Sequence, residues 1–298
     1  MNNMIIVTGG NGFIGKNLVY SLRSKGKEVH VVDFLGDIYT DPISLLNHLS
    51  SNANFVENIE MIYHQGACTD TTCYDPSHML DMNLNYSIAL LNICMRMNIR
   101  MVYASSASIY GDGPFVDNEF SDPKNIYAKS KSMFDDYVRC FLKEKDLAQI
   151  VGLRYFNVYG PGEHKKEKMA SVMHQFYHQH QDEQKIKIFK NSENYTRDFI
   201  SVEDVVKVNL HFLENESISG IYNCGTGVSR SFCDIARIMQ TYCDFEIEEI
   251  DMPSSLHGKY QAFTQSDNTR LIENALYTDT FLTLEEGIDK YMRFLQAK

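Results

Sequence analysis

The chain has 298 residues, 44% hydrophobic and 22% charged, enough for an ample core in one or two domains. Its net charge of -11 argues against a nucleic-acid partner, which would call for a basic patch. No apolar run reaches the length of a membrane span, and the seven cysteines are scattered without a Cys-x-x-Cys pair, so neither a metal site nor a disulfide framework is expected. The N-terminus runs straight into a strand pattern, so no signal peptide is expected, and a reducing cytoplasm is the simplest setting.

Met4 to Thr8 is a continuous apolar run, the pattern of a strand buried on both faces. It enters Gly9-Gly10-Asn11-Gly12-Phe13-Ile14-Gly15, and a helical pattern follows to about Arg23. The spacing of Gly9, Gly12 and Gly15 suits a tight turn, backbone approach to a pyrophosphate and close helix–strand packing. Glu28 to Asp33 reads as the second strand. An acid at its end receives adenine ribose hydroxyls, and no Lys or Arg follows between Phe34 and Asn58 to hold a 2′-phosphate, so these residues favour NAD.

Asp41 to Ser51 predicts a short helix and Met61 to His64 a strand. The strand leads into Gln65-Gly66-Ala67-Cys68-Thr69, whose small residues let backbone lie against a cofactor. Asp75 to Met97 is a long helical pattern containing Asn83. Arg100 to Ser106 is a strand that carries Ser106 to its C-terminal end, where open α/β sheets place their sites. Asn125 to Lys143 is a helix and Gln149 to Tyr155 a strand. This alternation predicts an α/β fold built on a doubly wound parallel sheet.

Tyr127 and Lys131 are four apart and share one helix face. A phenol is a poor base near neutral pH, but a neighbouring ammonium favours the phenolate, so Lys131 is expected to lower the pKa of Tyr127. With the Ser106 hydroxyl they form a proton-transfer device for an alcohol being oxidised or a ketone being reduced.

After Tyr155 the pattern changes. Asn157 to Gly162 reads as loop, and Met169 to Gln181 as a helix opened by a charged cluster. Ile186 to Phe189 is a short strand, and Tyr195 to Phe199 leads into a helix from Val202 to Leu213. Gly220 to Cys224 is a strand, Phe232 to Tyr242 a helix, Tyr260 to Asp267 a loop, and Leu284 to Gln296 a closing helix. An anionic substrate would need local cations, and Lys165, Lys166, Lys168 and Arg197 supply them. The expected division is a dinucleotide-binding domain over 1–155, with 196–217 returning to it, and a smaller mixed α/β substrate-binding lobe over 156–298.

The glycine motif, Ser106 and Tyr127-x-x-x-Lys131 together resemble the extended short-chain dehydrogenase/reductase family, whose Rossmann sheet serves epimerases, dehydratases and decarboxylases of nucleotide sugars. His64 to Thr72, Arg154 to Pro161, Met169 to Val172, Ser192 to Phe199 and Tyr260 to Asp267 resemble its ADP-heptose 6-epimerase branch, which supplies lipopolysaccharide core precursors. That resemblance implies a homo-oligomeric isomerase acting on ADP-heptose, with no metal. It implies Tyr127 as one acid/base and a lysine before Met-Ala-Ser as the second, Lys166 by ungapped counting and Lys165 as the alternative. It implies cofactor contacts from Gly9, Gly12, Phe13, Ile14, Gly15, Asp33, Phe34, Gln65, Gly66, Ala67, Cys68, Thr69, Asn83, Tyr127, Lys131 and Val158. It implies sugar-nucleotide contacts from Asn157, Lys168, Phe189, Lys190, Asn191, Ser192, Arg197 and Tyr260, with Arg197 on the diphosphate. It also implies NADP, whereas the residues after Asp33 favour NAD. Other readings are a different nucleotide-sugar epimerase or dehydratase, or a non-catalytic dinucleotide-binding protein. A dehydratase would want a carboxylate beside Ser106, where Ala107 stands.

Overall fold

The computed structural model describes residues 4–33, 42–70, 75–117, 120–142, 144, 147–253 and 261–297, without the side chains of 42, 165, 167 and 168. Phe34 and Tyr260 lie outside the described residues, as does the side chain of Lys168. The chain forms two compact units, 1–109 with 123–155 and 206–222, and 110–122 with 156–205 and 223–298.

In chain order the first unit opens with β1 (Met4–Thr8), α1 (Phe13–Ser24), β2 (Glu28–Val32), α2 (Pro42–Ser51), α3 (Ala53–Val56) and β3 (Ile59–His64). There follow α4 (Pro76–Leu80), α5 (Tyr86–Met97), β4 (Arg100–Ser106), α6 (Ile126–Arg139) and β5 (Ile150–Tyr155). The later elements are β6 (Asn157–Tyr159), α7 (Val172–Glu183), β7 (Lys185–Phe189), β8 (Thr196–Ser201), α8 (Val202–Glu214), β9 (Gly220–Cys224), β10 (Ser229–Ser231), α9 (Phe232–Met239), β11 (Glu246–Ile250), α10 (Thr269–Glu273) and α11 (Leu284–Gln296).

The large sheet runs β2-β1-β3-β4-β5-β9. Its pairs from β2 through β5 are parallel, so β3 lies beside β1 rather than beyond β2. Among the described residues β2 is therefore an edge strand. The order reverses across β1 and β3, which puts a crevice outside their C-terminal ends. β1, β3 and β5 are almost wholly buried, as the continuous apolar run of β1 predicts for that strand. Ile6, Ile62, Leu90, Met101, Phe134 and Ile150 belong to the core on one side of this sheet.

Two expectations are corrected, and one segment without an assignment is placed. The long helix predicted from Asp75 is interrupted by a π-helical turn, Asp81–Asn85, between α4 and α5. Asn157 to Tyr159 is a strand rather than loop: β6 pairs in parallel with β8. Thr196 to Ser201 is the strand β8, central to a sheet β10-β8-β6. β6 was hidden by brevity, since three residues cannot show a two-residue period; β8 is buried along nearly its whole length and so shows no alternation either.

The second unit has its own core. Leu284, Ile288, Tyr291, Met292 and Leu295 line one face of α11 and join Phe176, Ile186, Phe199, Ile235 and Met239. Capping boxes fix the start of α9 through Ser231 and Asp234, and of α11 through Thr283 and Glu286. Among the described residues no helix is long and apolar enough to cross a membrane.

Candidate active site

The first unit gathers the glycine turn, the acid and the Ser-Tyr-Lys set at the C-terminal ends of its strands. Gly12 is the N-cap of α1, with no side-chain cap bond and no acid in the first turn. A Cβ on Gly12 would meet only the Gly9 carbonyl, at 3.1 Å, so its outer side is open among the described residues. A Cβ on Gly15 would lie 2.2 Å from that same carbonyl. The turn is thus closed tightly on itself and presents backbone outward, a cradle suited to a pyrophosphate at a helix N-terminus. The Asp33 carboxylate accepts the Asn11 N–H at 2.9 Å, which holds it beside the turn. Gly15→Ala is expected to destabilise the protein by ~1–3 kcal/mol from overpacking and to strip it of bound nucleotide, read by thermal unfolding and by nucleotide content on denaturation.

The loop after β3 is held from beneath. Gly66 N–H donates to Thr8 Oγ1 at 3.3 Å. Gln65 bonds Asn209 and accepts the Tyr155 hydroxyl at 3.1 Å. Asn83, predicted to line the cofactor, is buried: its amide oxygen accepts the Cys68 N–H at 2.8 Å and its nitrogen donates to the Cys68 carbonyl at 3.0 Å. It shapes the 65–69 loop, and the π-helical turn that carries it is a common mark of functional sites. His64 sits below, between Thr8 at 2.7 Å and Ser87 at 2.8 Å. Burial first, then the charge of Lys131, push its pKa down to about 3, so it is a neutral structural imidazole.

Ser106 ends β4, and its hydroxyl lies 2.9 Å from that of Ser108 and accepts the Ser108 N–H. Asn125 caps α6 through the Ala128 N–H and sets Tyr127 and Lys131 on one face. Tyr127 hydrogen-bonds Ser106. Lys131 is 4% exposed, and its ammonium donates to the Ala104 carbonyl at 2.9 Å. Burial pushes the Lys131 pKa down to about 8, opposed by Asp135 and Cys68. The expectation that Lys131 holds the Tyr127 phenol low is corrected: burial pushes that phenol up, and the bond to Ser106 is what lowers it. Desolvation sets the direction here because the buried phenolate loses its water.

The second unit carries the predicted cations. Lys166 lies on a 3₁₀ turn, Glu163–Met169. Burial pushes its ammonium down and Glu163 opposes this. Glu163 is 1% exposed and pins the turn at both ends, accepting the Gly160 N–H at 3.0 Å, the Ser171 hydroxyl at 2.8 Å and the Ser171 N–H.

Arg197 on β8 is 6% exposed, with its guanidinium on the Thr196 and Gln261 carbonyls and over the Phe232 ring. Asn157 is exposed and accepts the Thr264 hydroxyl at 3.4 Å. Val158 is half-buried opposite Ile200. Phe189 is half-buried at the end of β7. Lys190 pairs with Asp251 at 2.8 Å, and Asn191 adopts the left-handed conformation. Ser192 is buried against Cys233, 3.0 Å from its sulfur.

Sequence reasoning missed Asp198. Its buried carboxylate accepts N–H groups of Thr226, Gly227 and Ser266 and the Thr226 hydroxyl, all within 2.9 Å. It gathers the loops that flank β8, and its side chain gave no local signal because these partners lie 28 to 68 residues away.

The sequence pattern of the NAD dependent epimerase/dehydratase family matches residues 5–225. The chain belongs to this family. Its cofactor is therefore a nicotinamide dinucleotide, and the glycine cradle and Asp33 fit one. An ADP-L-glycero-D-manno-heptose-6-epimerase of Brachyspira hyodysenteriae is 44% identical over 315 aligned residues, covering 98% of each chain. The crystal structure of a Helicobacter pylori ADP-L-glycero-D-manno-heptose-6-epimerase is similar with a TM-score of 0.86 at 29% identity, over 100% of this chain and 97% of that one. A UDP-glucose 4-epimerase of Thermotoga maritima, solved with UDP-glucose, has a TM-score of 0.81 at 25% identity, over 99% of both chains.

Proposed function

We propose that this protein interconverts ADP-D-glycero-D-manno-heptose and ADP-L-glycero-D-manno-heptose by transient oxidation at C6. The 44% identity to the Brachyspira enzyme over 98% of both chains carries this reading. The glycine turn and Asp33 would hold the nicotinamide dinucleotide, which when bound would supply the hydride acceptor and donor for the exchange at C6. Tyr127 takes the C6 hydroxyl proton of one epimer, with Ser106 hydrogen-bonding the same oxygen. Lys131 supplies positive charge that the buried Tyr127 phenol needs, and it holds the cofactor ribose. Lys166 is the second acid/base, and the burial that pushes its ammonium down supports that role. Arg197 faces the diphosphate, with Asn157 and residues 189–192 around the sugar nucleotide. Cofactor contacts fall to the unit containing β1 to β5, and the ADP-sugar contacts mainly to the other.

Between the two nicotinamide dinucleotides, Asp33 supports NAD, because a carboxylate fixed beside the turn repels a 2′-phosphate. Purified protein incubated with ADP-D-glycero-D-manno-heptose and no added cofactor is expected to form the L-glycero epimer, followed by proton NMR, and to release NAD on denaturation. No conversion after adding each oxidised cofactor in turn would sink the heptose assignment. Release of NADP would overturn the reading of Asp33 alone.

A further inference from the structure

Lys131 is nearly sealed from water, and a buried ammonium needs a compensating charge or it gives up its proton. The titratable groups around it come from several elements. Tyr127 and Asp135 share its own helix face, one turn to either side. Neutral His64 faces it from β3, and Cys68 from the loop that follows. Tyr103 on β4 and Arg154 on β5 stand behind Asp135.

Asp135 has no exposure, nor does Arg154. Its carboxylate accepts the Tyr103 hydroxyl at 2.9 Å through one oxygen and Arg154 Nε at 2.8 Å through the other. These partners stand on adjacent parallel strands, where Tyr103 lies opposite Gly152 and Arg154 opposite Ser105. The approach is tight: a Cβ on residue 152 would sit 2.4 Å from the Tyr103 hydroxyl oxygen. The carboxylate therefore bolts α6 to the sheet one helical turn from Lys131. One strand position from Tyr103 toward Ser106, Lys131 is anchored on the Ala104 carbonyl.

We infer that Asp135 is a positioning residue for Lys131: held by Tyr103 and Arg154, it fixes the height of α6 above the sheet and supplies the negative charge that keeps the Lys131 ammonium protonated. The device leaves Arg154 and Tyr103 outside the chemistry. They are needed because burying a carboxylate without hydrogen-bonding and charged partners is costly. The inference rests on the catalytic reading of Lys131 for its consequence, but its physical content does not depend on the substrate.

The test is a titration of the purified, cofactor-loaded protein carrying 13Cε-labelled lysine. The resonance missing in Lys131→Met is assigned to Lys131. In the parent protein its midpoint is expected at about 8. In Asp135→Asn, which keeps an acceptor for Tyr103, the midpoint is expected to fall by about one unit or more. A second variant, Asp135→Leu with Arg154→Met, replaces the ion pair by apolar volume, an exchange that buried pairs commonly tolerate. Its Lys131 midpoint is expected to be lowered as well, although the helix remains packed. A parental midpoint in either variant would overturn the inference and leave Asp135 a purely structural acid. Full turnover by Lys131→Met would instead overturn the catalytic reading of Lys131 while leaving the titration result standing.

Discussion

Tyr127→Phe is expected to lower kcat by ~10²–10⁴-fold, the usual worth of a positioned acid/base, with little change in bound nucleotide. The substitution removes one hydroxyl and leaves the ring of this α6 residue in place. The Ser106 hydroxyl keeps the Ser108 N–H as a partner, so the lesion stays local. Proton NMR of epimer formation measures the loss, and nucleotide released on denaturation measures the cofactor. A non-catalytic dinucleotide-binding protein would show no phenotype here, so near-normal behaviour of the variant with its nucleotide intact would favour that reading. The pH dependence follows from Lys131. Its pKa is lowered to about 8, so its positive charge is present below that pH and lost as pH rises through it. In the proposed mechanism the Tyr127 phenol, pushed up by burial, then lacks the nearby positive charge that a phenolate needs. Turnover is expected to fall on the alkaline side from about pH 8, and a profile that keeps rising beyond it would sink the role given to Lys131.

What could be read in the sequence was local. Gly9, Gly12 and Gly15 announce their turn because strand, glycines and helix are contiguous, and Tyr127 with Lys131 share a face by helical arithmetic alone. Asp33 marks a strand end, and its bond to Asn11 follows from the same turn. The buried acids were not legible in this way. Asp135 reads as a polar position on an amphipathic helix until Arg154, 19 residues on, is seen against it. Glu163 reads as one charge in a solvated cluster, yet it is sealed and holds both ends of the turn that carries Lys166. Asp198 joins segments that only tertiary folding brings together. Arg197 shows the reverse case: its charge suggested an open anion site, while two of its hydrogen bonds go to backbone carbonyls at a nearly buried position. The direction of the Tyr127 shift was also beyond the sequence, because residue spacing gives the neighbouring charge but not the desolvation that opposes it.

Lys166→Met is expected to abolish epimer formation by about three orders of magnitude, within the worth of one acid/base, and the reason lies in the symmetry of the reaction. Inversion at C6 needs one proton acceptor for each epimer. With Tyr127 intact, the variant keeps the half-reaction of the epimer that Tyr127 serves and stalls at the ketone. That epimer alone is then expected to raise the absorbance of reduced nicotinamide in a single turnover, and Tyr127→Phe is expected to respond to the other epimer. The same stall for both epimers would refute a two-base scheme. Burial pushes the Lys166 ammonium down while Glu163 opposes this, so the group gives up its proton more readily than an ordinary lysine. Glu163 also fixes the turn through Gly160 and Ser171, which limits where the Lys166 side chain can reach. Lys165→Met is the decisive companion. If Lys166 is the acid/base, the Lys165 variant keeps turnover within a few-fold of the parent, since a neighbouring cation contributes only through the field. If the two variants exchange behaviour, the alignment of the Met-Ala-Ser segment shifts by one residue and the role passes to Lys165.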